Sequence, residues 1–342
     1  MIGAADTKPI LTVQDLVAEA TTPDGTVRIV DGVSFAVRGG RSLALVGESG
    51  SGKSVTCLSV LGLPPAGVRV SSGSIRLGDA DLLGKSSAEL NALRGREIGM
   101  ILQDPMTSLN PLLTIGQQIT EMFRYHEGIR SRRASEARAI ELLRRVRVPA
   151  PEHRLNSYPH QFSGGMRQRV SIAMNLACNP TLLIADEPTT ALDVTIRLQI
   201  LDLLREIQLE RGTGIVLVTH DLHIVRRYCD DVAIMYAGRI VEQGPVDAVF
   251  TQPRHPYTRG LLGAVPRLRE LKHRLTVIPG QPPLPGSIAA GCRFAARCTR
   301  AQGDCTTTCP PARALDAGRV VACWHPEPVP APIEPLLEGT TS

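Results

Sequence analysis

The feature that most constrains this chain is a glycine-rich octapeptide that follows an unbroken apolar segment. The segment 42–46 is typical of a buried strand, and the octapeptide fits the pattern G-x-x-x-x-G-K-[ST]. Its residues are Gly47, Glu48, Ser49, Gly50, Ser51, Gly52, Lys53 and Ser54. Such a loop turns backbone N–H groups toward phosphate oxygens, and the helix that follows, from about Val55, adds the positive end of its dipole. We therefore predict a phosphate site in which Lys53 reaches the β- and γ-phosphates and Ser54 binds Mg²⁺.

A second apolar segment ends in two adjacent acids. Residues 182–185 are Leu-Leu-Ile-Ala, and Asp186 and Glu187 follow them directly. A carboxylate at the end of a buried strand is placed to hold Mg²⁺ through water, and its neighbour can polarise an attacking water. We predict the magnesium role for Asp186 and the water-polarising role for Glu187.

The order of the remaining segments predicts an α/β fold. Between residues 175 and 218 a helix, an apolar strand, a helix over 196–208 and a second apolar strand over 215–218 follow one another. Strands without alternation, interleaved with helices, indicate a buried parallel sheet. We also expect short strands at 11–13 and 27–30, and an amphipathic helix over 133–148 whose arginines face solvent.

Length and composition allow one large domain with an appendage, or two domains. The chain has 342 residues, of which 43% are hydrophobic and 21% charged, so it is neither charge-dominated nor collagen-like. Its net charge of +5 gives no indication of a nucleic-acid partner. No stretch of 18 apolar residues occurs, and the first fourteen residues lack the apolar core of a secretory signal. We expect a cytosolic protein.

Further motifs carry a family resemblance. The segment 162–169, Phe-Ser-Gly-Gly-Met-Arg-Gln-Arg, is similar to the signature segment of the ATP-binding subunits of ABC transporters. Gln103 resembles the family's Q-loop residue, 191–193 its D-loop and His220 its switch histidine. The resemblance covers residues 10 to about 250. It implies a P-loop NTPase cassette with a mixed sheet core, an antiparallel β subdomain and a helical subdomain.

The resemblance also implies roles for these residues. Residues 47–55 and Gln103 would bind ATP, Ser54, Gln103 and Asp186 would hold Mg²⁺, and Glu187 and His220 would be catalytic. Two cassettes would pack head to tail, so that one cassette's signature closes the other's site. The residues expected to act across that interface are Ser163, Gly164, Gly165 and Asp193.

The segment 254–262 resembles the oligopeptide/dipeptide/nickel importer branch of the family, in which it opens a C-terminal extension. From its residues alone we expect a turn at His255-Pro256 that leads into a short helix. One position departs from the family: Ala20 or a neighbour replaces the aromatic residue that usually stacks on adenine. Loss of that contact would weaken nucleotide binding by about 1–3 kcal/mol.

The extension carries a cluster of cysteines. In a reducing compartment a cluster favours metal ligation over disulfides, and four thiolates can hold Zn²⁺ or an iron–sulfur cluster. The wide spacing favours a 4Fe-4S cluster, as proposed for members of this branch, with zinc and free thiols as alternatives. We expect Cys309 to be the spare, with a role as a ligand in place of Cys305 as the alternative, and His325 to lie at the surface. The predicted ligands are Cys292, Cys298, Cys305 and Cys323.

These observations predict an ATP-binding domain over 9–260, a metal-stapled module over 261–325 and a disordered Pro-rich tail over 326–342. The module and the phosphate loop lie far apart along the chain, so we expect the loop to bind nucleotide even when the module is lost.

The family implies an ATPase subunit of a peptide importer, peripheral on the cytoplasmic face of the cell membrane. Its implied partners are a second, different cassette subunit, two transmembrane permease subunits and an extracytoplasmic peptide-binding protein, with no nucleic acid. Nickel or another small solute is the alternative cargo. A regulatory cassette with little turnover, and a soluble ABC protein that acts on DNA or ribosomes, are the rival functions.

Overall fold

The structure of the protein, a computed structural model, describes most of the chain. The described residues are 8–23, 25–103, 108–189, 192–265, 277–284, 286, 290–315 and 318–328. Within these ranges we find no helix with the length and apolarity that a membrane crossing needs.

The described strands form two sheets. One has four strands in the order β2-β1-β4-β5, and the other has eight in the order β11-β12-β10-β9-β3-β8-β7-β6. The strands are β1 (Pro9–Thr22), β2 (Gly25–Arg38), β3 (Ser42–Val46), β4 (Val68–Leu77), β5 (Ala80–Asp81), β6 (Ile98–Ile101), β7 (Leu182–Asp186), β8 (Gly214–Val218), β9 (Asp231–Tyr236), β10 (Arg239–Pro245), β11 (Arg313–Ala314) and β12 (Val320–Val321).

The larger sheet is mixed. Its strands β9, β3, β8, β7 and β6 are parallel, whereas β10, β12 and β11 are added antiparallel at one edge. Every residue of β3, β7 and β8 is buried. Apolar segments without alternation form such strands because helices or a second sheet cover both faces. The predicted parallel sheet is therefore confirmed, and the mixed character that the family resemblance implies comes from the antiparallel edge.

The smaller sheet is antiparallel and rests on one face of the core. In β2 the side chains of Val33, Phe35 and Val37 are buried, and the residues between them are not. This alternation matches the two-residue period of a half-buried strand. The strands predicted at 11–13 and 27–30 lie within β1 and β2, each of which has 14 residues.

The described helices flank the larger sheet or form a separate layer. They are α1 (Lys53–Val60), α2 (Ser87–Leu93), α3 (Ile115–Glu127), α4 (Arg132–Arg145), α5 (Pro151–Arg154), α6 (Gly164–Leu176), α7 (Val194–Arg211), α8 (Leu222–Tyr228), α9 (Val246–Thr251), α10 (Pro256–Gly263) and α11 (Gly303–Thr307).

Helices α3 to α6 form a helical layer whose apolar residues join the cluster on one face of the larger sheet. Ile119 and Phe123 of α3, Leu143 of α4 and Ile172 of α6 are fully buried in one cluster. The arginine-rich helix predicted over 133–148 is α4, and it ends a few residues earlier. This layer carries the start of α6, and so it positions the predicted signature segment.

The C-terminal extension is mostly irregular and joins the larger sheet. Its strand β12 pairs with β10, which continues the sheet beyond the parallel strands. The domain boundary predicted after Gly260 falls inside α10. Glu327, which we place in the predicted disordered tail, is buried and bonds to Arg259 at 2.9 Å. The rest of that tail, 329–342, lies outside the described residues.

Candidate nucleotide-binding site

The glycine-rich octapeptide forms the loop between β3 and α1. Gly52 has a φ of 97°, in the left-handed region that favours glycine, and α1 begins at the next residue. A Cβ at Gly47 would lie 2.2 Å from the carbonyl oxygen of Met235 in β9. The strand, the loop and the helix follow one another as predicted, and the fold brings the loop against β9.

Lys53 is held by the loop that it belongs to. Its Nζ donates hydrogen bonds to the carbonyl oxygens of Gly47, at 2.8 Å, and Glu48, at 2.9 Å. The side chain is buried, and burial lowers the pKa of the amine while the nearby carboxylates of Glu187 and Asp186 oppose that shift. The ammonium group therefore lies in an enclosed site that also faces two acids.

Asp186 ends β7 and lies beside the start of α1. Burial raises the pKa of its carboxyl, and a hydrogen bond from the Ser54 hydroxyl opposes the rise. The neighbouring Glu187 carboxylate adds to the rise, and the Lys53 ammonium opposes it. Hydroxyl and carboxylate oxygens are the ligands that Mg²⁺ prefers, so the pair of Ser54 and Asp186 fits the predicted cation.

Glu187, Gln103 and His220 converge at the ends of three neighbouring strands. The Nε2 of Gln103 donates to one carboxylate oxygen of Glu187 at 3.4 Å, and Nδ1 of His220 lies 3.3 Å from the other. Parallel strands β6, β7 and β8 end at the same edge, which explains why residues 84 and 33 positions apart in sequence meet. The three predicted residues form one polar cluster.

The backbone at Glu187 is unusual. Its φ is 46°, a left-handed value for a residue with a side chain, and its N–H donates to the carbonyl of Val218 at 3.0 Å. Such a conformation costs about 1–3 kcal/mol and occurs most often at functional sites. It turns the carboxylate out of the line of β7 toward Gln103 and His220.

Comparisons with known proteins agree with this geometry. Residues 30–190 match the family described as ABC transporter, and residues 241–305 match the family described as oligopeptide/dipeptide transporter, C-terminal region. The dipeptide transport ATP-binding protein DppD of Bacillus subtilis is 48% identical over 316 residues, which span 92% of this chain and 94% of that protein. The oligopeptide transport ATP-binding protein OppD of Salmonella typhimurium is 47% identical over 317 residues, 93% of this chain and 94% of that protein.

The chain belongs to the ATP-binding subunits of ABC transporters, of the oligopeptide/dipeptide importer type. It is therefore an ATPase, and ATP and Mg²⁺ are its expected ligands.

Solved structures agree. A dimeric ATP-binding cassette in a post-hydrolysis state with ADP and Pi has a TM-score of 0.63 and 26% identity, covering 69% of this chain and 98% of its own. An ABC transporter subunit from Clostridium perfringens has a TM-score of 0.59 and 31% identity, covering 71% and 90%.

The segment predicted to be the family signature lies at the start of α6. Ser163 is exposed and its Oγ accepts a hydrogen bond from the Met166 N–H at 3.3 Å. Among the described residues, no hydrogen bond or ion pair joins 163–165 to the phosphate loop of the same chain. Asp193 similarly begins α7, where its carboxylate accepts from the Ile196 N–H at 2.9 Å. Both predicted interface elements are thus helix N-termini that are open to solvent.

The position expected to stack on adenine is aliphatic. Ala20, in β1, is paired with Val27 of β2 on one side and Val68 of β4 on the other. All three are half-buried. The weaker adenine contact therefore stays a prediction.

The four cysteines predicted as ligands line one small cavity in the extension. Cys292, Cys298, Cys305 and Cys323 surround it, together with His325. Cys309 instead lines a different cavity. His325, which we expected at the surface, is partly buried at the first cavity and bonds to Asp304 at 2.8 Å. Asp304, Cys305 and His325 also offer ligand atoms that lie within 4.8 Å of one another.

The cysteine thiols perturb one another. Burial, with contributions from the neighbouring cysteines, raises the pKa of Cys292 and of Cys323 to about 11. Cys292, Cys298 and Cys323 also accept hydrogen bonds from the backbone N–H groups of Phe294, Arg300 and His325. Buried sulfurs in such proximity need a cation to ionise, so this donor set fits a metal group.

The structure also shows residues that sequence analysis missed. Arg297, which directly precedes Cys298, forms an ion pair with Glu48 of the phosphate loop at 2.9 Å. Tyr257 of α10 accepts a hydrogen bond from the Glu48 N–H at 3.1 Å. The predicted turn at His255-Pro256 is confirmed, because His255 caps α10 through its own side chain. The only sequence signal for these contacts is that an arginine stands beside a cysteine. That signal does not indicate which residue the arginine contacts.

Proposed function

We propose that this subunit hydrolyses ATP to drive the import of peptides through membrane permease subunits. The observation that carries the proposal is the convergence of Gln103 and His220 on the Glu187 carboxylate, near the ammonium group of Lys53. The match of 241–305 to the oligopeptide/dipeptide transporter C-terminal region supports peptides as the cargo, as do the names of the relatives.

In the proposed mechanism the chain's residues divide the work of hydrolysis. The N–H groups of 47–55 hold the phosphates, and the Lys53 ammonium neutralises charge that develops on the γ-phosphate. Ser54, Asp186 and Gln103 would hold Mg²⁺, which would supply positive charge to the phosphates. Glu187 orients and polarises the attacking water, and His220 bonds a phosphate oxygen from the opposite side.

Two cassettes would form two sites. Ser163, Gly164 and Gly165 at the start of α6, with Asp193 at the start of α7, would act on the ATP held by the partner cassette. The exposure of Ser163 and Asp193 supports this, since a helix N-terminus binds anions and, among the described residues, no hydrogen bond joins the start of α6 to the phosphate loop of the same chain. We propose a second, different cassette subunit, two permease subunits and an extracytoplasmic peptide-binding protein as the complete assembly, with this subunit on the cytoplasmic face.

The extension would be a metal-stapled module that follows the ATP-binding domain. We propose a 4Fe-4S cluster on Cys292, Cys298, Cys305 and Cys323, supported by the shared cavity and by the N–H donors to its sulfurs. When bound, the cluster would crosslink segments that have little apolar core of their own. Zinc is the alternative, and the grouping of Asp304, Cys305 and His325 favours it.

The test is transport by the reconstituted assembly. The subunit should copurify with permease subunits from membranes, and the complex in vesicles should import a labelled peptide only when ATP is present on the side of this subunit. Import of nickel ions with no peptide import would contradict the proposed cargo but leave the ATPase assignment intact. Copurification with nucleic acid or ribosomes and without permease subunits would refute the proposal.

A further inference from the structure

An arginine of the cysteine module is fixed against the phosphate loop. The Nη1 of Arg297 lies 2.9 Å from a carboxylate oxygen of Glu48 and donates to the Tyr236 hydroxyl at 3.2 Å. Its Nε donates to the carbonyl of Pro279 at 2.8 Å. The Arg297 side chain is 7% exposed and that of Glu48 is 26% exposed. Burial and three partners leave this guanidinium little freedom to move.

The contact reaches the centre of the loop because every polar group of Glu48 is engaged. Its carboxylate pairs with Arg297, its N–H donates to Tyr257 and its carbonyl accepts from the Lys53 ammonium. Tyr257 is itself fully buried. The orientation of Glu48 therefore affects the position of the lysine that faces the phosphates.

The pair also matters for charge. A carboxylate on the phosphate loop repels a nucleotide, and the repulsion is strong where the surroundings exclude water. Arg297 neutralises this carboxylate through a charge-assisted hydrogen bond. Without the arginine, Glu48 would present an unpaired negative charge beside the predicted phosphate site.

A second arginine makes a parallel contact. Arg293, which directly follows Cys292, donates to Asp31 of β2 at 2.5 Å and to the carbonyl of Ala237. Gly238, which follows Ala237 in sequence, donates its N–H to the carbonyl of Ser51 in the phosphate loop at 2.9 Å. Cys292 and Cys298 line one cavity, and each is adjacent in sequence to an arginine. Arg297 contacts the phosphate loop, and Arg293 contacts the residue before Gly238, which bonds to that loop.

We propose that Arg297 is a positioning residue for the phosphate loop and links the state of the cysteine module to nucleotide affinity. It orients and neutralises Glu48, and because it adjoins Cys298, a change at the cavity shifts the guanidinium. The proposal goes beyond the transport function and needs only that the loop binds nucleotide.

The first experiment measures the dissociation constant for ATP with the full-length Arg297→Gln subunit. We expect binding weakened about tenfold, equivalent to about 1.4 kcal/mol, against the wild-type protein as the positive control. Arg300→Gln is the matched control, since Arg300 lies two residues from Cys298 and pairs with Glu327 at 3.7 Å, and among the described residues it has no hydrogen bond or ion pair with the loop. It should leave the constant within roughly twofold of wild type.

The second experiment separates positioning from a loss of stability. In a Glu48→Gln background, Arg297→Gln should change the dissociation constant by no more than roughly twofold, because the carboxylate that needs neutralising is gone. Arg297→Lys should restore part of the affinity, and it replaces Arg297→Gln if that variant does not fold. A variant that melts at a lower temperature but binds ATP normally would overturn the proposal. Fully additive effects of the two substitutions on binding would overturn it equally.

Discussion

At the scale of single residues, the site depends on a carboxylate whose backbone is held in a left-handed conformation. Glu187 has a φ of 46° and follows a strand whose five residues are all buried. This conformation costs about 1–3 kcal/mol, which a glycine at the position would avoid. The turn places its two carboxylate oxygens toward Gln103 and His220, from opposite sides. A water bonded to Glu187 would therefore have defined neighbours.

Replacing this carboxylate by an amide tests the assignment. Glu187→Gln should retain ATP binding and reduce steady-state hydrolysis by the assembled complex about tenfold or more, which is about 1.4 kcal/mol on the barrier. The amide keeps the size and one acceptor oxygen but cannot polarise the water. Glu121→Gln, on the exposed part of α3, should leave hydrolysis unchanged. Equal turnover by the Glu187→Gln complex and the wild type would exclude Glu187 as the water-polarising group.

At the scale of elements, two helices begin in the same way but should differ in function. Ser163 is the N-cap residue of α6 and Ser131 is the N-cap residue of α4. Each Oγ accepts a hydrogen bond from one backbone N–H at 3.3 Å. Each hydroxyl therefore stabilises its helix by about 1 kcal/mol. Only Ser163 lies in the segment that resembles the family signature.

These serines provide a matched pair of variants. Ser163→Ala and Ser131→Ala should each lower the melting temperature by about 2–4 °C, because each removes one cap. Only Ser163→Ala should also lower ATP hydrolysis of the assembled complex, by about tenfold or more, since it removes a donor to the partner's γ-phosphate. A similar loss of hydrolysis in both variants would mean that helix stability, and not a contact across the interface, explains the effect.

Elements also show how far the sequence predicts this structure. Strands β3, β7 and β8 and helix α4 could be predicted from local apolar patterns. The strands are apolar and buried throughout, and the helix has one apolar face that is buried. The full length of β1 and the pairing of β12 with β10 do not, since polar residues on an exposed face carry no strand signal. In the polar cluster, Glu187 was predictable from the apolar strand that precedes it, whereas Gln103 and His220 were predicted from the family resemblance.

The contact between Arg297 and Glu48 was not predictable in the same way. The two residues are 249 positions apart, and neither belongs to a periodic pattern. An arginine in an irregular segment pairs with whichever carboxylate the tertiary fold brings near. The separation along the chain that led us to expect an independent extension is therefore no guide to distance in space.

At the scale of the whole molecule, the extension is packed onto the nucleotide domain at several places. Strand β12 continues the main sheet, Phe294 contacts the rings of Tyr236 and Tyr257, and Arg293 and Arg297 reach β2 and the phosphate loop. The cysteine cavity lies directly behind these contacts, since Phe294 also lines it. Loss of order at the cavity should therefore change nucleotide binding. From the sequence we expected the loop to bind nucleotide even when the module is lost.

The metal content and its effect on nucleotide binding can be measured together. Protein purified without oxygen should be brown and contain about four iron and four sulfide per chain, the composition of one cluster. Cys298→Ser should remove the visible absorbance, lower the melting temperature and weaken ATP binding, because Cys298 adjoins Arg297. Cys309→Ser is the matched control, since Cys309 lies in the same module but lines another cavity, and it should keep iron and affinity. One zinc and no iron would refute the cluster but keep the metal-stapled module, whereas a folded module without any metal would refute both.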